Sequence, residues 1–464
     1  MTRDRPDNPN NPTRRRGAAY IIALLVVTVL AAVALGFARE MRTEADISAN
    51  HASKTQARWI AYGALEAIRG EIRDDLSQGL PPVLDTVGAD AVALGEGVFW
   101  VIGRGDRAGE PAFGLVSEAG KINLNTATPE TLVELPGVTE TAAAAILDWR
   151  DTDAEATPGG AESLYYLGLD DGYRAKDARL ESVGEVMLIR GVTPEVYHGE
   201  DANRNGRLDP NEDDGGGVPP LDNGDGRLDP GLVDLCTVYS REPNEDADGN
   251  PRININVGDS SFIDFLREQI GQDRFAQVFV NIVINRPFRS PLELFIKAEL
   301  TREEYEQIRD RITTDNTRNF RGRVDVYAAP AEVLDALPGL DPGDGEIIVR
   351  SRPELLPGEP RPSLAWLVDL LGEEKAVEAA ASLTNRSYQF TADIVAVSRD
   401  GRSFCRLTAV LDATRSVRDG ELPRIVKLTE QTDLGWPLEP AVLEALRRGE
   451  TVERVAAAYR GAMD

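Results

Sequence analysis

Apolar residues are spaced differently in different parts of the chain, and each spacing predicts its own kind of element. From Ala18 to Ala38 the run "AAYIIALLVVTVLAAVALGFA" holds no charge, about the length a helix needs to cross a bilayer. Beyond it the pattern turns periodic. Ile60, Ala64, Ile68, Ile72 and Leu76 recur every four residues with Ala57, Ala61 and Leu65 beside them, the mark of a helix with one apolar face. No proline separates the two stretches, so one helix is predicted to leave the membrane and continue until Gly79, Pro81 and Pro82 stop it. Near the other end, "SYQFTADIVAVSRDGRSFCRLTAVLDATR" alternates apolar and polar residues around Asp400-Gly401, which predicts a two-residue β-hairpin. Phe390, Ala392 and Ile394 share one face there, and Leu407, Ala409 and Leu411 share a second run. "RIVKLTEQ" (424–431), "GVFWVIG" (97–103) and "AFGLVSE" (112–118) supply further strands of one antiparallel sheet packed on the long helix.

The middle of the chain repeats itself. Aligned without gaps, "INLNTATPETLVELPGV" from Ile122 matches "VDVYAAPAEVLDALPGL" from Val324, with Leu132 on Leu334, Leu135 on Leu337 and Pro136-Gly137 on Pro338-Gly339. A weaker copy starts at Ile253. Each is followed by a second recurrent segment, beginning at Ser182, Ser290 and Pro362, in which a capping residue precedes short helices. The fold class predicted is therefore α+β, with a large inserted all-helical region of helix-hairpin-helix-like repeats. The partition is 1–17 leader, 18–80 membrane helix and its continuation, 81–121 first strands, and 122–197 first helical unit. An Asp/Asn/Gly-rich insertion over 198–252 follows, then helical units over 253–312 and 313–385, C-terminal strands over 386–434 and a terminal helix over 435–464.

Charge bears on what the hairpins do. The formal net charge is −27, and a phosphate backbone needs a concentrated basic face. The turn Gly137-Val138-Thr139 lacks a second glycine, and the other reads Gly339-Leu340-Asp341. Glu134, Glu140, Asp148 and Asp151 flank the first. The phrase "INLNTATPE…LPG" is shared with membrane-anchored DNA receptors resembling ComEA, which stands as the alternative function; nucleic acid is not the expected partner. Two cysteines (Cys236, Cys405) and two histidines (His51, His198) lie far apart and give no zinc-like spacing. No catalytic constellation is evident, so the protein is not expected to be an enzyme.

The acidic insertion carries the clearest site chemistry. "DANRNGRLDPNE" (201–212) fits a twelve-residue EF-hand-type calcium loop. Asp201, Asn203 and Asn205 stand at positions one, three and five, and Gly206 at the turn. The Arg207 carbonyl falls at seven, Asp209 at nine and Glu212 at twelve. Two partial echoes follow. One is "DNGDGRLD" with Asp222, Asn223, Asp225 and Asp229, lacking acids at positions one and twelve; the other is "NEDADGN" with Asn244, Asp246 and Asp248.

The N-terminus ends its polar stretch in Arg14, Arg15, Arg16 and Gly17. Basic residues on the short upstream side place that end in the cytoplasm and the bulk outside the inner membrane, in the periplasm. A glycine before the apolar run resembles the leader of type IV pilins and type II secretion pseudopilins, which implies prepilin peptidase cleavage between Gly17 and Ala18. Most of those proteins carry glutamate at the fifth mature position, where this chain has Ile22. The leader, the missing glutamate, the long helix, "GKINLNTA" and the inserted helical units together resemble the minor pseudopilin GspK family, from Arg14 to about Leu434. That resemblance implies a subunit capping or initiating the type II secretion pseudopilus. It further implies other minor pseudopilins of the filament tip as partners, and bound calcium.

Overall fold

The computed structural model describes residues 12–450 apart from 79, 81, 83–88, 105–111, 259 and 356–358. The predicted leader up to residue 11 and the last part of the predicted terminal helix (451–464) lie outside the described residues. One helix, α1, runs from Pro12 to Ser77. Its large apolar side chains between Tyr20 and Phe37 touch nothing else and are exposed. Further along, Ala57, Ile60, Ala61, Ala64, Leu65, Ile68, Ile72 and Leu76 are all buried, because the four-residue spacing keeps them on one side of the helix.

That side rests on a six-stranded sheet made of β1 (Val92–Leu94), β2 (Gly97–Ile102), β3 (Val116–Ser117), β4 (Gln389–Val397), β5 (Phe404–Asp412) and β6 (Arg424–Glu430). The order is β1-β2-β4-β5-β6, with β3 also pairing β4, all antiparallel. The register sets Phe390 opposite Leu411, Ala392 opposite Ala409 and Ile394 opposite Leu407, and all six pack beneath α1. The predicted apolar runs are thus two halves of one face. Val98, Trp100, Ile102, Val395 and Val397 occupy the opposite face and pack against the terminal helix Pro440–Arg447.

The hairpin between β4 and β5 is longer than predicted. The last pair is Val397–Phe404, leaving six residues rather than two in the loop. Ser398 and Asp400 are diverted to α1, where the Ser53 hydroxyl lies 2.7 Å from the Ser398 hydroxyl and donates to Asp400 Oδ1 at 2.8 Å. Gly401 takes φ +64 because the terminal helix backbone at Leu446 and Arg447 leaves no room for a side chain. Of the predicted strand over 112–118 only Val116–Ser117 joins the sheet as a strand, Phe113 adding a single bridge to Ile102.

Between β3 and β4 sits the helical body. Three pairs of two-residue parallel strands punctuate it: Ile122–Asn123 with Cys236–Thr237, Ile253–Asn254 with Ile312–Thr313, and Val324–Asp325 with Leu383–Thr384. Each pair gains the same further bond, Leu124 N–H to Thr237 O (2.9 Å), Ile255 N–H to Thr313 O (2.8 Å) and Val326 N–H to Thr384 O (3.0 Å). Within each unit the first strand leads into two helices, Pro129–Val133 and Glu140–Arg150, Ser260–Ile270 and Gln272–Asn285, or Ala331–Asp335 and Asp344–Ser351. Threonine and serine caps start the helices at Pro129, Glu140, Pro291 and Arg302. All three units share one apolar core. The first closes only at Thr237, so the part of the acidic insertion that carries the first two loops is nested inside it, and only the stretch around 244–250 follows it. A parallel pair needs a long crossover, and here the crossover carries the loops.

Candidate metal-binding loops on the helical body

The loop 201–212 closes on itself through its own predicted ligands. Asp201, Asn205 and Glu212 are buried. Asp201 accepts hydrogen bonds from the backbone N–H groups of Asn205 (2.9 Å) and Gly206 (2.8 Å). The side-chain amides of Asn203 and Asn205 donate to Asp209 Oδ2 at 2.6 and 2.9 Å. Glu212 reaches back to accept from Ala202 N–H (3.1 Å) and Asp209 N–H (3.0 Å). Gly206 takes φ +70, the left-handed turn expected at position six. The Arg207 guanidinium turns away to pair with Glu439, leaving the residue's N–H to donate to Asn205 Oδ1 at 2.7 Å. Burial, with Asp234 adding repulsion, pushes the Asp201 carboxyl up to about 6. Burial, with Asp201 and Asp209 nearby, pushes Glu212 up to about 7. The loop carries three carboxylates and two amide oxygens on one turn, hard donors of the kind a divalent cation takes, although Asp201, Asp209 and Glu212 do not bring one oxygen each to within 4.8 Å of one another.

The loop is also anchored from outside. Arg406 on β5 is fully buried and pairs with Asp393 on β4 at 2.6 Å. Its remaining N–H groups donate to the carbonyls of Asn203 (2.6 Å) and Arg204 (2.5 Å). The candidate site is thereby bolted to the sheet.

The second loop repeats the pattern twenty residues on, with replacements that the sequence pattern alone misses. The Asn223 amide donates to Asp229 at 3.0 Å, as Asn203 does to Asp209. In place of a position-twelve acid, buried Glu200 accepts from Asn223 N–H (3.1 Å) and Asp229 N–H (2.9 Å), the counterpart of what Glu212 does in the first loop. In place of a position-one acid, Asp213 accepts from Gly226 N–H (2.9 Å), matching Asp201 with Gly206. Asp225 accepts from Arg227 N–H at 2.9 Å. Asp222 is occupied by the N–H groups of Gly215, Gly216 and Gly224. Glu200 and Asp213 were illegible as partners because each lies outside the twelve-residue window in which loop ligands are counted.

The third stretch is built otherwise. Asp246 is buried and pairs with Arg311, its carboxyl held below the usual range against burial by backbone N–H bonds and that guanidinium. The Asn244 amide donates to the carbonyls of Asp315 and Thr317, both at 2.9 Å. Asp248 is exposed and gives its N–H to Asp246 at 3.0 Å. Asp246 and Asp248 thereby hold a turn, and Asn244 ties it to the 315–317 loop.

A further carboxylate group was not anticipated. Asp151, Asp153 and Glu162 bring one oxygen each to within 4.8 Å of one another, the one such trio among the described residues. Glu162 is 7% exposed and neither of its oxygens has a hydrogen-bond partner. Burial, then Asp177 and Asp148, raises its carboxyl. The signal available was the Asp-x-Asp after the first hairpin and the Gly-Ala-Glu whose glutamate follows Asp153 by nine residues, too sparse to single out without the fold.

The hairpin turns themselves are used for packing. A side chain at Gly137 would meet Val196, and one at Gly339 would strike the Glu378 side chain and the Ala379 backbone. Cys236 and Cys405 are free and buried in separate cores. Burial pushes the Cys236 thiol up to about 12 and raises that of Cys405, the opposite of what a nucleophile needs.

Residues 116–199 match the family model described as type II secretion system (T2SS), protein K. A curated relative, type II secretion system protein K of Pectobacterium carotovorum subsp. carotovorum, is 25% identical over 213 residues, covering 40% of this chain and 61% of that protein. The match thus spans about three-fifths of the relative's length. A chain from the crystal structure of the GspK-GspI-GspJ complex of enterotoxigenic Escherichia coli superposes with a TM-score of 0.43 at 11% identity, covering 84% of this chain and 99% of that one. Residues 116–199 thus match the first domain of type II secretion system protein K, and 213 residues of the chain resemble a curated protein of that name.

Proposed function

We propose that this chain is a non-catalytic minor pseudopilin that caps or initiates the type II secretion pseudopilus and so supports protein export across the outer membrane. The observation that carries the reading is α1. One helix presents a bare apolar half, fit for lipid or for the interior of a helical filament, and welds its second half to the sheet through Ala57, Ile60, Ala61, Ala64, Leu65, Ile68, Ile72 and Leu76. A rigid membrane-to-body spine of that kind transmits position, which a flexible tether does not. The helical body inserted between β3 and β4 is too bulky for a filament interior, which favours the tip. Other minor pseudopilins are the partners this reading requires, in keeping with the complex in which the structural neighbour was solved. The chain then sits in the inner membrane as a single span, its N-terminus cytoplasmic and its bulk periplasmic.

Calcium belongs to the same proposal. The ion is held by Asp201, Asn203, Asn205, Asp209 and Glu212 with the Arg207 carbonyl, a second by the loop around Asn223, Asp225 and Asp229, and Asp151, Asp153 and Glu162 offer a further seat. Bound there, the metal supplies charge neutralisation and no chemistry; the residues themselves order the loop. The acidic flanks and packed glycine turns of the helical hairpins favour this structural role over DNA capture.

Co-expression with a prepilin peptidase followed by N-terminal sequencing tests the assignment. Ala18 as the first residue is expected; a chain still beginning at Met1 overturns the pseudopilin reading. Chelation with EGTA is expected to lower the melting midpoint, and an unchanged melt removes calcium.

A further inference from the structure

The three units of the helical body treat their buried glutamates unequally. Just before each first strand stands a basic residue: Lys121, Arg252 and Arg323. At the first unit the charges balance. Buried Glu118 accepts from Lys121 Nζ at 2.7 Å and from the hydroxyls of Thr237 and Thr391. At the junction of the second and third units they do not. Glu242, equally buried, accepts from Thr384 Oγ1 at 2.9 Å, yet faces Arg252 at 2.9 Å, Arg323 at 3.8 Å and Arg386 behind them. Arg386 has a second carboxylate in Asp310. Arg323, beyond its long approach to Glu242 and the more distant charge of Asp315, rests its guanidinium on the Phe320 ring at 3.5 Å. Arg252 has only 6% of its side chain exposed, and its Nε has no hydrogen-bond partner.

These groups border a cavity of about 70 Å³, which Glu242, Arg252, Arg309, Arg323 and Arg386 line together with Thr313. By the measure of roughly 10–15 Å³ for a water that is ample room. A surplus of guanidinium in an interior is costly unless matched, and it occurs here in a chain whose net charge is −27. Burial lowers the guanidinium pKa of both Arg323 and Arg386, with Arg252 adding repulsion in each.

We infer that the cavity between Glu242, Arg252 and Arg323 holds a compact inorganic anion, a halide or a tetrahedral oxyanion, that completes the junction between the second and third units. Arg252 Nε donates the first hydrogen bond to it, and Arg323 supplies the second charge. The anion is a structural bolt: it adds a tie to a junction that the apolar core, Arg302–Asp369 and the Arg309 bond to the Arg361 carbonyl already hold.

The test uses the full-length chain in detergent, exchanged exhaustively into gluconate and then melted in gluconate, chloride, sulfate or phosphate at constant ionic strength and without divalent metals. An anion of the right size is expected to raise the midpoint by several degrees over gluconate, saturably, and to raise it little in Arg252→Met. Lys121→Met, at the balanced glutamate, is expected to retain the increment. A halide-only response identifies the smaller occupant, and a response to sulfate or phosphate the larger. Equal midpoints in all four salts, or the same increment in Arg252→Met, overturn the inference. Should Arg252→Met not fold, chloride-35 line broadening by the wild-type chain decides. Excess broadening that sulfate or phosphate competes away supports the site; no excess over the bare detergent sample, together with a wild-type midpoint that sulfate and phosphate leave at its gluconate value, overturns it.

Discussion

Single residues in this protein are set by what they face once buried. Glu242 shows it most sharply: burial alone lifts a carboxyl, but Arg252, Arg323 and Arg386 outweigh it and hold this one down to about 2. The unfolded chain, with an ordinary carboxyl near 4.5, takes up its proton first as pH falls. A depressed folded pKa therefore contributes stability that is full above about pH 4.5 and is lost progressively towards pH 2. Across that window the contribution is on the order of 3 kcal/mol. Urea unfolding of the wild type between pH 5 and pH 3 is expected to show a falling midpoint, and Glu242→Gln, weaker throughout, a visibly flatter one. Parallel slopes for the two proteins would show that Glu242 is not the titrating group.

Elements repeat the lesson at the next size up. The face of α1 was legible because Ile60, Ala64, Ile68, Ile72 and Leu76 recur at helical spacing and each lands buried. Ile68→Ala removes a side chain that is 2% exposed and is expected to cost about 2–5 kcal/mol in equilibrium denaturation; Ile47→Ala, on the exposed part of the same helix, should cost little. The β4 and β5 strands were legible for a like reason, period two, whereas β1 carried no such signal and most of the predicted 112–118 strand did not form. Two things were not. The β4–β5 turn lengthened because Ser53 on α1 captures Asp400, a contact 347 residues apart in sequence. The second acidic loop looked incomplete because Glu200 and Asp213, which stand where positions twelve and one would, are contributed from before it in the chain. Sequence windows count ligands that are consecutive, whereas folding counts those that converge. Accordingly Glu200→Gln is expected to lower calcium per chain by one ion in elemental analysis after dialysis, and Glu212→Gln by one as well. The double variant should lose both, and a single variant that loses nothing would assign its loop a purely hydrogen-bonded role.

On the scale of the molecule, two bodies with separate cores must behave as one, since among the described residues the sheet core and the helical core share no buried residue. The insertion leaves the sheet at β3 and re-enters at β4, strands that pair with each other through Phe390–Ser117 and Thr391–Val116, so its two ends start side by side. Polar ties then fasten it. Glu118 collects Thr237 from the first unit and Thr391 from β4, Arg241 pairs with Asp412 on β5, and Arg406 joins the calcium-type loop to β4 and β5. Arg406 is the tie with the most to lose, because it is wholly buried and serves a carboxylate and two loop carbonyls at once. Arg406→Met leaves both carbonyls without these donors and Asp393 with only the Thr408 hydroxyl at 3.4 Å, a loss of about 3–5 kcal/mol by comparison with other broken buried pairs. Its more telling effect concerns cooperativity. With the tie intact, calcium bound at the loop should stabilise sheet and helical body together, and calorimetry of the wild type is expected to show one main transition that moves as a whole with calcium. In Arg406→Met the transition is expected to split, its calcium-dependent part belonging to the helical body alone. The tryptophans report the assignment, since Trp100 and Trp436 sit against the sheet and Trp149 and Trp366 in the helical body. A single calcium-shifted transition in the variant would mean that Glu118 and Arg241 suffice to join the bodies, and that the loop's seat on the sheet is incidental to how a load on the helical body reaches α1.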